Sequence, residues 1–324
     1  MMGCMAGGRS VSFRVMKSAF LAACLLISPA LAGFEVKTTG SGVQIIENGE
    51  TLTAYHSGRV PYVYPLPSPS GANLARRWPI EDAAEGEEQD HPHHRSLWLS
   101  HGQVNGYDFW AFTGKGEPEI RHIATHDAKA DENSASFRVQ LEWWADGKRH
   151  LTESRTYRFH RPDALSLAID VTSVLTASDG EVTLGDTKEG TFAVRVDRTL
   201  RQKGPMAKGG ILDSEGRKDG DCWGKRAKWV AFHGPDEKGE AAVIAMFDHP
   251  ANLRYPTWWH ARDYGLLAAN PFGIHDFERG KPRGAGNLKL PTGDTLQQRY
   301  RVLIHHGTAD PEMLGKIAAD FSQP

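Results

Sequence analysis

Apolar and polar residues alternate along most of this chain. In "SFRVQLEWWA", Phe137, Val139, Leu141 and Trp143 fall on one side and charged or amide residues on the other. "LSLAIDVTSVL" does the same with Leu167, Ile169 and Val171. A period of two is the signature of a strand with one buried face, and one-sided burial favours antiparallel sheets. "FEVKTT", "GVQIIENGETLTAYHSG", "LTESRTYRFH", "TFAVRV", "AKWVAFHG", "AAVIAMFDH" and "TLQQRYRVLIHH" read as further strands. Each is rich in Val, Ile, Thr and aromatics and is bounded by Gly, Pro, Asn or Asp. One segment breaks to the helical period. "ADPEMLGKIAADF" offers Asp310 as N-cap, Pro311 at the first helical position and an apolar stripe of Met313, Leu314, Ile317 and Phe321. The pattern predicts an all-β chain, one large antiparallel sandwich or barrel, closed by a C-terminal helix. No linker or internal repeat interrupts it, so residues 33–324 read as one domain. Long loops at about 66–95, 105–118, 200–226 and 249–263 are where a site is expected.

The first residues follow other rules. Lys17, an apolar run from Ala19 to Ile27 and Ala30-Leu31-Ala32 before Gly33 form the n-region, h-region and cleavage box of an export signal. Residues 1–32 are therefore expected to be a signal peptide, with Met16 a candidate true start. "LAAC" at Leu21–Cys24 resembles a lipoprotein box, but only about five apolar residues precede Cys24, fewer than an h-region needs. A soluble periplasmic or secreted protein is expected. No other segment reaches the length of a membrane span. Removal of Cys4 and Cys24 leaves Cys222 alone, so no internal disulfide can form. The net charge of −2 gives no basic excess for nucleic acid.

The chemistry is concentrated in a few loops. "DHPHHRSLWLSH" holds His91, His93, His94 and His101. In an extended chain His91 and His93 share a face and His94 points away. Imidazoles on one face suit a divalent metal, so His91, His93 and Glu189 are candidate ligands. The run lacks a Glu at cupin spacing, and there is no H-E-x-x-H. Substrate binding, acid–base work and structural hydrogen bonding all stay open for these histidines. "GDTKEG" puts Asp186, Lys188 and Glu189 in a turn at a strand mouth, where Glu189 can serve as a base or ligand. "YPTWWHARDYG" clusters Trp259, His260, Arg262, Asp263 and Tyr264. Indole faces stack on sugar C–H faces, Arg offers a rigid donor fork, and His260 can carry a proton near neutral pH. His101, Glu189 and His260 are the candidate catalytic residues. His91, His93, His94, Trp110, Trp259, Arg262, Asp263 and Asn270 are candidate substrate contacts, and His305 is a weaker candidate. No G-x-G-x-x-G follows a strand and there is no P-loop, so no nucleotide cofactor is expected. A divalent metal stays possible.

Several stretches carry a resemblance. "RVPYVYPLPSPSG", "DHPHHRSLWLSHGQVNGYDFW", "DTKEGTFAVRV", "CWGKRAKWV", "DHPANLRYPTWWHARDYGLLAANPFG" and "YRVLIHHG" occur in this order in an exported bacterial family labelled PmoA-like. The match covers about 34 to 310. More loosely, "PYVYPL", "SHGQVNG" and "AANPFG" resemble the site-forming segments of galactose-mutarotase-like supersandwich proteins. That resemblance implies a supersandwich fold and a sugar-binding cleft. The chain departs from it at Asn270, where those enzymes carry their basic Glu, which puts plain mutarotation in doubt. Three functions follow as expectations. One is an exported carbohydrate-active enzyme, an epimerase, lyase or hydrolase. The second is a non-catalytic glycan-binding module. The third is a metal-dependent oxygenase.

Overall fold

A computed structural model of the chain describes residues 1, 3–5, 7, 8, 33–40 and 42–323. The apolar run and cleavage box of the expected export signal, Met16 and Cys24 lie outside the described residues. Residues 31–324 form one compact unit.

Two eight-stranded antiparallel sheets make up that unit. The first runs in the order Phe34–Thr39, Gly42–Glu47, Glu50–His56, Tyr62–Tyr64, Leu97–His101, Gly190–Arg195, Leu266–Asn270 and Trp258–Ala261. The second runs Gly210–Asp213, Trp229–Pro235, Ala241–Asp248, Thr295–His306, Ser166–Thr176, Lys148–His160, Ser134–Ala145 and Glu119–Ala130. Val182–Leu184 and Leu288–Leu290 pair separately. The expected all-β class with a C-terminal helix is what the chain forms. The long "GVQIIENGETLTAYH" strand is in fact a hairpin. Asn48 and Gly49 both take positive φ (53° and 83°), as a tight two-residue turn requires.

The sheets pack through their alternating apolar faces. Phe192 of the first stacks on Tyr300 of the second with ring centroids 4.9 Å apart, and along Ser134–Ala145 every second residue is buried. An ion pair sits inside this core. Glu153 and Arg155, both fully buried, pair at 2.7 Å. The Glu153 carboxylate also accepts from Trp143 Nε1 (2.8 Å) and Ser173 Oγ (2.7 Å). Arg155 Nη2 donates to Leu99 O at 3.3 Å, across to the first sheet. Every lone pair of the carboxylate thus faces a donor or its counter-charge, the condition under which a charge survives burial.

The outer face of the second sheet is covered by the helix Pro311–Phe321. Asp310 caps it by accepting from Glu312 N at 2.9 Å, and Pro311 opens it. Leu314 is buried with Trp229, Val243, Phe247 and Leu303. Among the described residues no helix of that length covers the outer face of the first sheet; loops and the single-turn helix Ile274–Phe277, whose Phe277 lies 6.2 Å from the His260 ring, gather there instead.

Candidate functional site

Strand register decides which side chains reach that outer face. Trp98 pairs with Ala193, Ala193 with Ala268, and Ala268 with His260. Their side chains therefore form one row across four strands. The neighbouring positions Leu99, Phe192, Ala269 and Trp259 point the other way, into the core.

The segment 90–94 folds over this row as a loop, with His91 at φ 47°. Arg76 holds it in place. Its Nη1 donates to Asp90 O (2.8 Å) and Oδ1 (2.7 Å), and its Nη2 donates to His91 O (2.8 Å) and His94 O (3.1 Å). Arg195, rising from its strand, donates to the same Asp90 Oδ1 at 2.9 Å and to His94 Nδ1 at 3.0 Å. The result is a column of four rings. Trp98 stacks on His94 (5.3 Å), His94 on His91 (4.8 Å) and His91 on Tyr264 (5.3 Å). His93 stands edge-on to His94 at 4.4 Å. His91 Nδ1 meets Asp90 Oδ2 at 2.7 Å.

Two further segments join this one. Gly102 N donates to Glu189 O at 2.7 Å, and a Cβ at Gly102 would stand 3.0 Å from Glu189 Cβ. The "KEG" turn therefore lies directly against the end of the His strand. His260 Nδ1 bonds Lys188 O at 2.9 Å, which ties the strand Trp258–Ala261 to the same turn. A carbonyl only accepts, so Nδ1 holds the proton and Nε2 presents a lone pair.

Burial sets the proton affinities. Glu189 is half-buried and its carboxyl makes no hydrogen bond among the described residues. Desolvation raises its pKa, against the opposing pull of Lys188 and His91. Desolvation also holds His260 and His93 down, each to about 4. His94 lies well below the usual range for the same reason, with His93 and Arg195 adding to it. Tyr264 is pushed up to about 12 by burial. Beside His260 a cleft of about 620 Å³ is lined by Gln202, Lys203, Asp219, Trp223, Arg262 and Asp263.

The structure thus brings His91, His93, His94, Glu189, His260, Arg262 and Asp263 to one face. It moves others elsewhere. His101 follows Leu97 and Leu99 in parity, away from Trp98 and Ser100. It is buried against Phe272 (4.6 Å), with Nε2 bonded to Gly185 O at 2.8 Å, so it is a core histidine beneath the site. Trp259 is fully buried, its indole N–H spent on Ala227 O. Trp110 is buried beside Trp98 and His94 and offers no open stacking face. Asn270 turns its amide to local backbone. Its Nδ2 donates to Thr187 O and its Oδ1 accepts from Phe272 N and Gly273 N. His305 bonds Ser166 Oγ on the second sheet.

Among the described residues no three His, Cys, Asp or Glu side chains converge as a metal ion requires. The proposed ligand set of His91, His93 and Glu189 is therefore not formed: His91 is sandwiched between two rings and bonded to Asp90. Sequence reasoning missed Arg76, Arg195 and the role of Asp90. Their one visible signal was an arginine inside the apolar strand "TFAVRV", since a buried arginine must find partners.

No curated protein matches the chain in sequence. Among solved structures it is similar to a heparan sulfate lyase HepC mutant from Pedobacter heparinus, at 10% identity over 87% of this chain and 36% of that one, TM-score 0.34. It thus spans little more than a third of that lyase. It is also similar to a GalM/aldose epimerase homologue from C. elegans, at 8% identity over 85% of this chain and 100% of that one, TM-score 0.31. A galactose mutarotase related enzyme from Lactobacillus acidophilus matches at 10% identity over 86% and 98%, TM-score 0.24. A family model matches residues 42–319, most of the chain, and the protein belongs to that family, DUF6807, a family of unknown function.

Proposed function

We propose that this protein is an exported enzyme that moves protons on a carbohydrate, with Glu189 as general acid and His260 as general base. One observation carries the reading. Three segments far apart in sequence meet on one sheet face, and there burial drives a carboxyl up and an imidazole down. Such a pair keeps Glu189 protonated to higher pH than a free carboxyl and leaves His260 neutral, with its Nε2 lone pair free. Glu189 can give a proton to a sugar oxygen while His260 Nε2 accepts one from a hydroxyl or an acidic C–H. Epimerisation and elimination both need this exchange. The adjoining cleft supports a sugar ligand: the edge of Trp223, the Arg262 fork and the carboxylates Asp219 and Asp263 suit a ring with several hydroxyls.

A purely glycan-binding module would present open aromatic platforms, yet Trp110 and Trp259 are buried. A metal-dependent oxygenase, which the PmoA-like resemblance implies, finds no ligand set among the described residues.

The test is a panel of mono- and oligosaccharides followed by proton NMR, with wild type, Glu189→Gln and His260→Gln. Turnover by wild type should fall about 100-fold or more in each variant, with folding intact by circular dichroism. Undiminished turnover in both variants, or no sugar bound or turned over by wild type, removes the reading. Recovery of the mature chain in the periplasm or medium tests export.

A further inference from the structure

The row beneath the four-ring column has an unusual hydrogen-bond inventory. His94 Nε2, Trp98 Nε1, Trp110 Nε1, Ser100 Oγ and Thr191 Oγ1 are all buried, and none has a hydrogen-bond partner among the described residues. They are neighbours. The rings of His94, Trp98 and Trp110 lie 5.1–5.8 Å apart pairwise. Ser100 pairs with Thr191 in register, two residues on from Trp98 on the same face. Buried polar groups normally find partners, and several unpaired ones in one place call for a cause.

Their chemistry is one-sided. Indole N–H groups only donate. Arg195 also only donates, so His94 Nδ1 is the acceptor in their 3.0 Å bond and Nε2 must carry the proton. Three obligate N–H donors therefore stand together with two hydroxyls that can donate as well. Behind them Arg76 and Arg195 both rest on Asp90 Oδ1, two guanidiniums sharing one carboxylate oxygen.

We propose that this cluster of His94, Trp98, Trp110, Ser100 and Thr191 receives the carboxylate of an acidic sugar, a uronate or a uronate-bearing glycan. A carboxylate accepts about four hydrogen bonds and donates none, the complement of the inventory here. A neutral sugar hydroxyl would bring a proton of its own, for which only the two hydroxyl oxygens could serve. The proposal rests on the carbohydrate reading and narrows its substrate class.

The test compares glucuronate, galacturonate and their disaccharides with glucose, galactose and theirs, by calorimetry on the mature protein. Wild type should bind the acidic members at least tenfold more tightly. Trp98→Phe keeps a ring in the stack and removes one N–H. Thr191→Val keeps the side-chain shape and removes one hydroxyl. Each should weaken uronate binding about tenfold, the scale of a hydrogen bond to a charged group. Thr191→Val should also raise Tm by about 2 °C, because it deletes an unpaired buried hydroxyl. Equal affinity for acidic and neutral sugars overturns the proposal and leaves the carbohydrate reading standing. Binding of no sugar at all removes both. Variants that bind uronate like wild type, or a Thr191→Val that lowers Tm without touching affinity, assign these groups to buried water and overturn the proposal.

Discussion

Acid should unmask a conflict between buried groups of opposite habit. His101 and His260 are almost fully buried, and desolvation holds each at about 4 against an ordinary 6.5. The unfolded chain therefore binds their protons first, and stability is lost as pH falls from about 6.5 towards 4. By pH 5 the linkage amounts to about 2 kcal/mol for each, roughly 4 kcal/mol together. Asp248 acts the other way. It is 3% exposed, and burial lifts its carboxyl to about 7. Its folded state binds the proton first, so it contributes about 2.5 kcal/mol on acidification from pH 7.5 to 5. Together these three groups contribute a net loss of about 1.5 kcal/mol, and His93 and His94, also held low by burial, deepen it. Asp248→Asn removes the offset and should deepen the loss between pH 7.5 and 5 by about 2.5 kcal/mol relative to wild type. His101→Gln should instead reduce the loss by about 2 kcal/mol, whatever it does to the baseline. Urea unfolding at pH 7.5, 6 and 5 reads all three. Parallel curves for wild type and Asp248→Asn would refute the reasoning.

Other outcomes follow from single contacts. Arg155→Met leaves the Glu153 carboxylate buried without its counter-charge and should cost about 3–5 kcal/mol in urea unfolding at pH 7; a loss below about 1 kcal/mol would refute that account of the pair. Cys222 is fully buried and its thiol is pushed up to about 12, so iodoacetamide at pH 8 should label it only in denaturant. Asn270→Ala strands the N–H groups of Phe272 and Gly273 and should lower stability by about 1–3 kcal/mol; lost sugar affinity at unchanged stability would instead make Asn270 a ligand contact.

Elements governed by a single local rule were legible in the sequence. The helix Pro311–Phe321 announced itself through its cap and stripe, and Ser134–Ala145 through strict alternation. Glu119–Ala130 did not, because as an edge strand it is exposed on both faces for much of its length. Trp258–Ala261 failed for the opposite reason: it is buried on both faces, so it shows no period. The histidine run misled in its geometry, since face alternation presumes a strand and residues 90–94 form a loop. Which loops would meet was suggested by composition. The lattice that fixes them, Arg76 and Arg195 on one carboxylate, depends on residues brought together from 14 and 105 positions apart. No local pattern carries such a pairing.

The Arg155–Leu99 bond joins the interior to the site. Leu99 lies between Trp98 and Ser100, so the carbonyl that Arg155 holds belongs to the segment that presents both side chains outward. Stability engineering would treat the Glu153–Arg155 pair as a target, because well-packed hydrophobic residues often outperform a buried ion pair. Here that exchange would free the Leu99 carbonyl and release the peptide that aims an indole and a hydroxyl. A hardier protein with a misaligned floor is the expected product, so thermal tolerance and ligand affinity should trade against each other at this one pair.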